Sequence, residues 1–123
     1  MFRFRKLEIW RKSADFAGVV YEATEAFPRK EQFGLTSQLR RAAVSISANI
    51  AEGSSRSSDR DFSRFIEIAF GSLCETLSHA HVARGQEFLS EDQYLGINRA
   101  AEELGRMLSA FREKLGEWKA VTS

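Results

Sequence analysis

The strongest constraint in the sequence is a helical periodicity that continues without a fault near its C-terminal end. Apolar residues there recur at alternating spacings of four and three, which is typical of a helix with one buried stripe. The members of this stripe are Ile97, Ala101, Leu104, Leu108, Phe111, Leu115 and Trp118. No strand-like alternation bounded by turn residues occurs, and Pro28 is the only proline. The chain is therefore predicted to be all-α.

Three further periodic segments precede this one, and turn residues separate all four. The pattern predicts helices at about residues 7–27, 36–53, 58–87 and 90–119. Since the connections are short, neighbouring helices are expected to run antiparallel, as in an up-down-up-down four-helix bundle. With 123 residues, of which 43% are hydrophobic, residues 1–123 are expected to form a single domain around one core.

Individual residues predict the helix boundaries. Pro28 closes the first helix, because the residue before a proline is disfavoured in the helical region. Gly53 suits the left-handed backbone position just after the end of the second helix. Ser58 is suited to cap the third helix, and Ser90 with Gln93 can form a capping box at the start of the fourth.

Apolar stripes define the packing faces of the first and third helices. The first helix has two stripes about 110° apart at 100° per residue, which requires two sets of neighbours. One stripe comprises Leu7, Trp10, Ala14, Ala17, Tyr21 and Thr24, and the other comprises Ile9, Phe16, Val20, Ala23 and Phe27. The core stripe of the third helix comprises Phe62, Phe65, Ile66, Ala69, Phe70, Leu73, Leu77 and Ala80.

The second helix contains few large side chains for a core helix. Its apolar arc comprises Leu35, Leu39, Ala42, Ala43, Ile46 and Ile50, and an arc of mostly small residues comprises Ser37, Val44, Ser47, Ala48 and Ala51. A polar arc about 110° from the apolar one comprises Gln38, Arg41, Ser45, Asn49 and Glu52. Arg41 and Glu52 are about 16 Å apart along the helix, too far to neutralise each other. The polar arc is either a solvated face or an assembly or specificity element.

The third helix has a matching row of small residues on the side away from its core stripe. Gly71, Ser78 and Gly85 repeat every seven residues there, although an exposed helical glycine costs about 1 kcal/mol relative to alanine. Close approach of a second subunit would explain the glycines, and simple tolerance is the alternative. We expect a homo-oligomer in which Arg41 and Glu75 supply opposite charges at or beside the contact.

Overall charge and cysteine content exclude several classes of protein. The net charge is +1 with 28% charged residues, so the overall charge of the protein does not indicate binding to nucleic acid or to a membrane. No apolar run approaches the roughly 18 residues of a membrane span, and no export signal is recognised. Cys74, the single cysteine, excludes an intramolecular disulfide framework and is expected to be a small buried hydrophobe. We expect a cytoplasmic location.

A long pattern between Phe27 and Leu77 carries a family resemblance. Its features are Phe27, Pro28, Gly34, Leu35, Thr36, Gln38, Arg41, Ala42, Ser45, Ile46, Asn49, Ile50, Ala51, Glu52, Gly53, Phe62, Phe65, Ala69, Gly71, Ser72 and Glu75. In these the chain resembles the 23S rRNA intervening-sequence proteins, although Ser47 stands where relatives often carry proline. The resemblance implies a bacterial four-helix bundle that forms a homopentamer with a central channel, and RNA binding as the supposed activity. A more distantly similar bundle is an accessory subunit of diversity-generating retroelements, which suggests reverse transcriptase as a candidate partner.

The N-terminal segment is the main candidate for nucleic-acid contact. Five basic residues against one acid, Glu8, give it a local charge of +4, with Phe2 and Phe4 interleaved. The basic residues are Arg3, Arg5, Lys6, Arg11 and Lys12. Such cations neutralise phosphates, and aromatic faces stack on unpaired bases. In the alternative, the phenylalanines of the arm pack under the bundle while its charges stay solvated. In a ring the arms would repeat around one rim, where copies of Arg40 or Arg41 could join them.

No arrangement of residues in the sequence indicates an enzyme. His79 and His81 are two residues apart and diverge on a helix, unlike the four-residue spacing of a helical metal site. Glu102 and Glu103 are interpreted as part of a solvated face, and no phosphate-binding glycine loop opens a helix. We therefore expect no catalytic residue, cofactor or metal. Two hypotheses remain: a homo-oligomeric nucleic-acid-binding or accessory module, and a scaffold that binds another protein.

Overall fold

Four α-helices account for most of the chain in the computed structural model, which describes the backbone of residues 2–122 and the side chains of residues 2–116. The helices are α1 (Glu8–Thr24), α2 (Leu35–Ser54), α3 (Asp59–Gly85) and α4 (Glu91–Thr122). Short 3-10 turns at Arg3–Lys6 and Arg29–Glu31 precede α1 and α2. No strand occurs in the part of the chain that the structure describes, so the all-α prediction is confirmed.

Each helix packs against its neighbours in the chain, and α1 also packs against α4, which closes the bundle. Between residues 2 and 122, the diagonal pairs α1–α3 and α2–α4 make no close backbone contact. Short connections between helices that pack side by side are characteristic of an up-down-up-down bundle. The predicted four-helix bundle is therefore confirmed. Within the same residues, no helix is long and apolar enough to cross a membrane.

The helix boundaries agree with the predicted ranges to within three residues. The end of α1 differs by three residues, because the helix stops at Thr24 and not at residue 27, where Pro28 was expected to close it. A tight turn follows, in which the Phe27 amide donates to the Thr24 carbonyl at 3.1 Å. This turn places the Phe27 ring 5.7 Å from that of Phe88, so tertiary packing ends the helix before the proline does.

The caps predicted for α3 and α4 are confirmed. The Ser58 hydroxyl accepts from the Asp61 amide at 3.1 Å at the start of α3. At the start of α4, the Gln93 amide donates to the Ser90 hydroxyl at 3.1 Å, and the Ser90 amide donates to the Gln93 side-chain oxygen at 2.9 Å. These bonds satisfy amides that have no partner within the helix, which explains why both helices begin where the sequence indicates.

The core follows most of the predicted stripes, but Ala14, Tyr21 and Phe70 are exposed. The deepest large side chains are Val20, Leu39, Ile46, Ile50, Phe62, Ile66, Ile97 and Leu108. Phe70, which was assigned to the core of α3, is 39% exposed. Phe70 faces Gly105 on α4, and a Cβ added to Gly105 would lie 3.6 Å from the Phe70 ring. Because glycine has no side chain, the ring stays uncovered on that side. The expected contribution of Trp118 to α4 lies outside the described side chains.

Gly53 corrects the prediction for the end of α2. It lies inside the helix, which continues to Ser54, and no described glycine has a positive φ. A Cβ at this position would lie 2.6 Å from Cβ of Phe65 and 3.0 Å from Cδ1 of Phe62, both on α3. Glycine is therefore required by the close approach of two helices and not by a left-handed turn.

We expect Gly53→Ala to lower the free energy of unfolding by about 1–3 kcal/mol, because the added methyl group overpacks the α2–α3 contact. The measurement is the urea midpoint at fixed protein concentration.

Gly18→Ala is the matched control for this measurement. Gly18 is an exposed helical glycine on α1 with no atom within 4 Å of an added Cβ, so the same change should raise stability by up to about 1 kcal/mol. Equal effects of the two substitutions would contradict the steric role of Gly53.

Candidate nucleic-acid interface and assembly face

Backbone hydrogen bonds form a 3-10 turn in the N-terminal segment. In its 3-10 turn the Arg5 amide donates to the Phe2 carbonyl at 3.3 Å, and the Leu7 amide donates to the Phe4 carbonyl at 3.0 Å. Nη1 of Arg11 on α1 donates to the Arg5 carbonyl at 3.2 Å. The turn packs against α1 and α2. The basic side chains therefore project from an ordered element.

The two phenylalanines of this segment have different surroundings. The Phe4 ring meets the Trp10 ring edge-on with 4.8 Å between centroids, which is a favourable aromatic geometry. Phe2 is 67% exposed and its centroid lies 6.3 Å from that of Phe4. Of the two alternatives from the sequence, packing under the bundle applies to Phe4, whereas Phe2 stays available for contact with another molecule.

Most of the basic side chains in this segment keep their charge uncompensated. Among the described side chains, no carboxylate lies within 4.0 Å of the cations of Arg3, Arg5, Lys6 or Arg11. Lys12 differs, because its amino group lies 3.8 Å from the Glu103 carboxylate on α4. Both partners of that pair are about half exposed, so the pair contributes little to stability.

Three arginines at the start of α3 and in the preceding turn were not selected from the sequence. The guanidinium groups of Arg56 and Arg64 lie 4.7 and 5.3 Å from the centroid of the Phe65 ring. Arg3 lies over the neighbouring Phe62 ring at 5.1 Å, which brings the N-terminal segment to the same corner of the bundle. The four-residue spacing of Arg56, Arg60 and Arg64 is the signal that could have identified them.

We call Arg3, Arg5, Lys6, Arg11, Arg56 and Arg64 the basic corner. Within it, the described ion pair is that of Arg56 with Glu52, at 3.1 Å between two exposed side chains. Cation–π contacts orient the guanidinium groups of Arg3 and Arg64 without neutralising them. The corner is therefore a cluster of positive charge on a protein whose net charge is only +1.

Arg40 is not part of this corner. Its Nε donates to Oγ1 of Thr24 at 2.8 Å, its Nη2 donates to the Tyr21 carbonyl at 3.3 Å, and the guanidinium lies 4.5 Å from the centroid of the Tyr21 ring. These partners are at the C-terminal end of α1, about 20 Å along the helix from Glu8 at its start. The expectation that Arg40 would join the N-terminal cations on one rim therefore finds no support within the subunit.

The polar arc of α2 is used partly inside the subunit. The hydroxyls of Ser45 and Ser72 are 2.9 Å apart and link α2 to α3. The Asn49 amide nitrogen donates to the Ser45 carbonyl at 2.8 Å and lies 3.0 Å from the Ser45 hydroxyl. Thr76 continues the network by donating to the Ser72 carbonyl at 2.8 Å. Ser45 therefore belongs to an internal α2–α3 contact, and Asn49 bonds to Ser45 within α2.

The rest of the polar arc is exposed. Gln38 and Arg41 lie on the surface, Glu52 pairs with Arg56, and Glu75 on α3 lies 3.2 Å from Nε2 of His79. Because α2 and α3 are antiparallel, the residues just before Ser45 lie level with those just after Ser72. Arg41 and Glu75 therefore occupy the same side of the helix pair at similar height, although they form no described ion pair with each other.

Small and apolar residues surround these charges on the outer side of α2 and α3. We call this surface the α2–α3 face, and it comprises Arg41, Val44, Ala48, Ile68, Gly71, Glu75 and Val82. All seven are exposed. An added Cβ on Gly71 or Gly85 would have no neighbour within 4 Å, so packing within the subunit does not explain these glycines.

The first apolar stripe of α1 finds much of its cover inside the subunit. Phe4 packs on Trp10, Arg40 lies over Tyr21, and Ala17 and Thr24 are buried. Ala14 and Tyr21 remain exposed, so the stripe is covered only in part within the subunit.

The described residues that bear reactive groups do not converge. Cys74 was expected to be buried, but it is exposed in an open groove of about 580 Å³ between α3 and α4. The groove lies where Phe70 faces Gly105, which leaves that side of α3 uncovered. Within the described part of the chain, no three His, Cys, Asp or Glu side chains are placed to hold a metal ion.

Comparison with known proteins places the sequence in a family. Residues 5–110 match the family model described as 23S rRNA-intervening sequence protein. The crystal structure of a protein with unknown function, from the S23 ribosomal protein family of Bacteroides thetaiotaomicron VPI-5482, matches with a TM-score of 0.75 and 26% sequence identity. That match covers 85% of this chain and 97% of the other. No curated protein matches the sequence significantly. The chain therefore belongs to the 23S rRNA-intervening sequence protein family.

Proposed function

We propose that this chain is a non-catalytic, homo-oligomeric module of the cytoplasm that binds RNA through the basic corner of each subunit. The observation that carries the proposal is the set of ordered cations in the N-terminal segment that have no carboxylate partner among the described side chains. Basic side chains bind nucleic acid by neutralising phosphates and releasing counterions. The family description, which refers to 23S rRNA, supports RNA as the ligand.

Assembly would strengthen this binding without any new contact. A single basic corner neutralises only a few phosphates, whereas a ring presents one corner for each subunit to the same RNA. The resemblance to the family implies a pentamer. The α2–α3 face supports assembly, because it combines exposed apolar residues, a glycine that packing within the subunit does not explain, and the opposite charges of Arg41 and Glu75.

Neutralising the N-terminal cations tests the RNA proposal. We expect the combined change Arg3→Gln, Arg5→Gln and Lys6→Gln to weaken binding to a structured 23S rRNA fragment at least tenfold. The slope of log affinity against log salt concentration should fall by roughly 2, since each lost phosphate contact removes about 0.7–0.9. Fluorescence anisotropy over a series of salt concentrations gives both values.

The combined change Arg29→Gln, Lys30→Gln and Arg99→Gln is the control, since it removes the same charge from exposed positions outside the basic corner. It should leave most of the affinity intact. Equal losses for the two triple variants would mean that binding depends on total charge and not on the corner. Wild-type protein that binds no RNA at low salt would contradict the proposal and favour the protein scaffold.

A charge swap tests the α2–α3 face. We expect Arg41→Glu and Glu75→Arg to reduce the mass measured by light scattering, because each places like charges across the contact between subunits. The double variant Arg41→Glu, Glu75→Arg should restore the wild-type mass, and Arg99→Glu on α4 should leave it unchanged. An unchanged mass for Arg41→Glu would exclude this pairing.

A further inference from the structure

Three aromatic rings form a row that leads from the bundle into solvent. Trp10 on α1 is half-buried, Phe4 packs edge-on against it at 4.8 Å, and Phe2 follows at 6.3 Å from Phe4 with its plane tilted by 32°. The outermost ring, Phe2, is 67% exposed. The row therefore ends in an aromatic surface that is mostly exposed to solvent.

One cation lies over this outermost ring, and two more follow in the same turn. The Arg5 guanidinium lies over both rings, 5.5 Å from the Phe2 centroid and 5.8 Å from the Phe4 centroid, so the other face of Phe2 is the one open to a base. Arg3 and Lys6 belong to the same 3-10 turn as Arg5. The turn is fixed by its own hydrogen bonds and by the bond from Arg11 to the Arg5 carbonyl. An aromatic surface and a guanidinium group are thus close together in the absence of a ligand.

We propose that Phe2 is a stacking site for one unpaired base of the bound RNA, with the adjacent phosphates held by Arg5 and its neighbours in the basic corner. The inference rests on the proposed function and narrows its ligand to RNA with single-stranded segments. Bases in a duplex already stack on each other, so their faces are closed to a protein side chain, whereas an unpaired base offers a free face. Stacking on an aromatic side chain is worth about 1–3 kcal/mol per base and tolerates any sequence.

Burial separates Phe2 from the other aromatic residues of the segment. Phe4 and Trp10 cover each other and are half-buried, so they position Phe2 but offer no open face of comparable size. The backbone hydrogen bonds of the adjacent turn reduce the entropy cost of binding for the residues that they hold.

The experiment compares two RNA probes with wild type and three variants. The probes are a fluorescein-labelled oligouridylate of about twelve nucleotides, within the range one small binding domain covers, and a blunt RNA duplex of the same length. The variants are Phe2→Leu, which removes the aromatic face but keeps an apolar side chain, Phe2→Trp, which keeps the face, and Phe33→Leu. Phe33 is 90% exposed and lies after the 3-10 turn that precedes α2, so it controls for the loss of any exposed phenylalanine.

We expect Phe2→Leu to weaken oligouridylate binding about tenfold and duplex binding less than twofold. Phe2→Trp should bind oligouridylate at least as tightly as wild type, and Phe33→Leu should not change it. If Phe2→Leu binds oligouridylate like wild type, or loses affinity for both probes equally, the stacking site is wrong and the phosphate-binding role of the basic corner stands. If wild type binds neither probe, the proposed function and this inference are both overturned.

Discussion

Close packing of α2 against α3 at Gly53 positions two aromatic rings that border the candidate RNA site. The glycine lets Phe62 and Phe65 reach the surface of α2, where any side chain at position 53 would collide with them. The same two rings carry the guanidinium groups of Arg3, Arg56 and Arg64. A steric constraint inside the bundle therefore sets the position of charges on its outside.

The kind of contact that positions each cation determines whether its charge remains available to bind a phosphate. An ion pair positions a cation but also compensates its charge, as for Lys12 with Glu103. An aromatic ring attracts the guanidinium through its quadrupole and leaves the full charge for another partner. Arg3 and Arg64 are held in this way without a described ion pair, whereas Arg56 also pairs with Glu52.

The polar arc of α2 combines two tasks that the sequence could not separate. Ser45 bonds across the α2–α3 contact, where unpaired polar groups would weaken packing, and Asn49 bonds to Ser45 within α2. Arg41 and Gln38, on the same arc, remain exposed because α3 reaches only one edge of it. The Ser45–Ser72 bond joins α2 to α3 at this level, and Arg41 and Glu75 lie at a similar height on the outer surface.

The sequence by itself determined the four helices, the caps at Ser58 and Ser90, and most of the core, because periodicity and capping depend on residues close together in the chain. Only the tertiary structure decided that Gly53 serves a helix contact, that Phe70 and Cys74 are exposed, and that Arg40 belongs to the opposite end from Arg3. A helical wheel indicates which side of a helix is apolar, but not which residue of a distant helix covers it. Gly105 leaves Phe70 open while Trp10 covers Phe4, and that difference arises only when the helices pack.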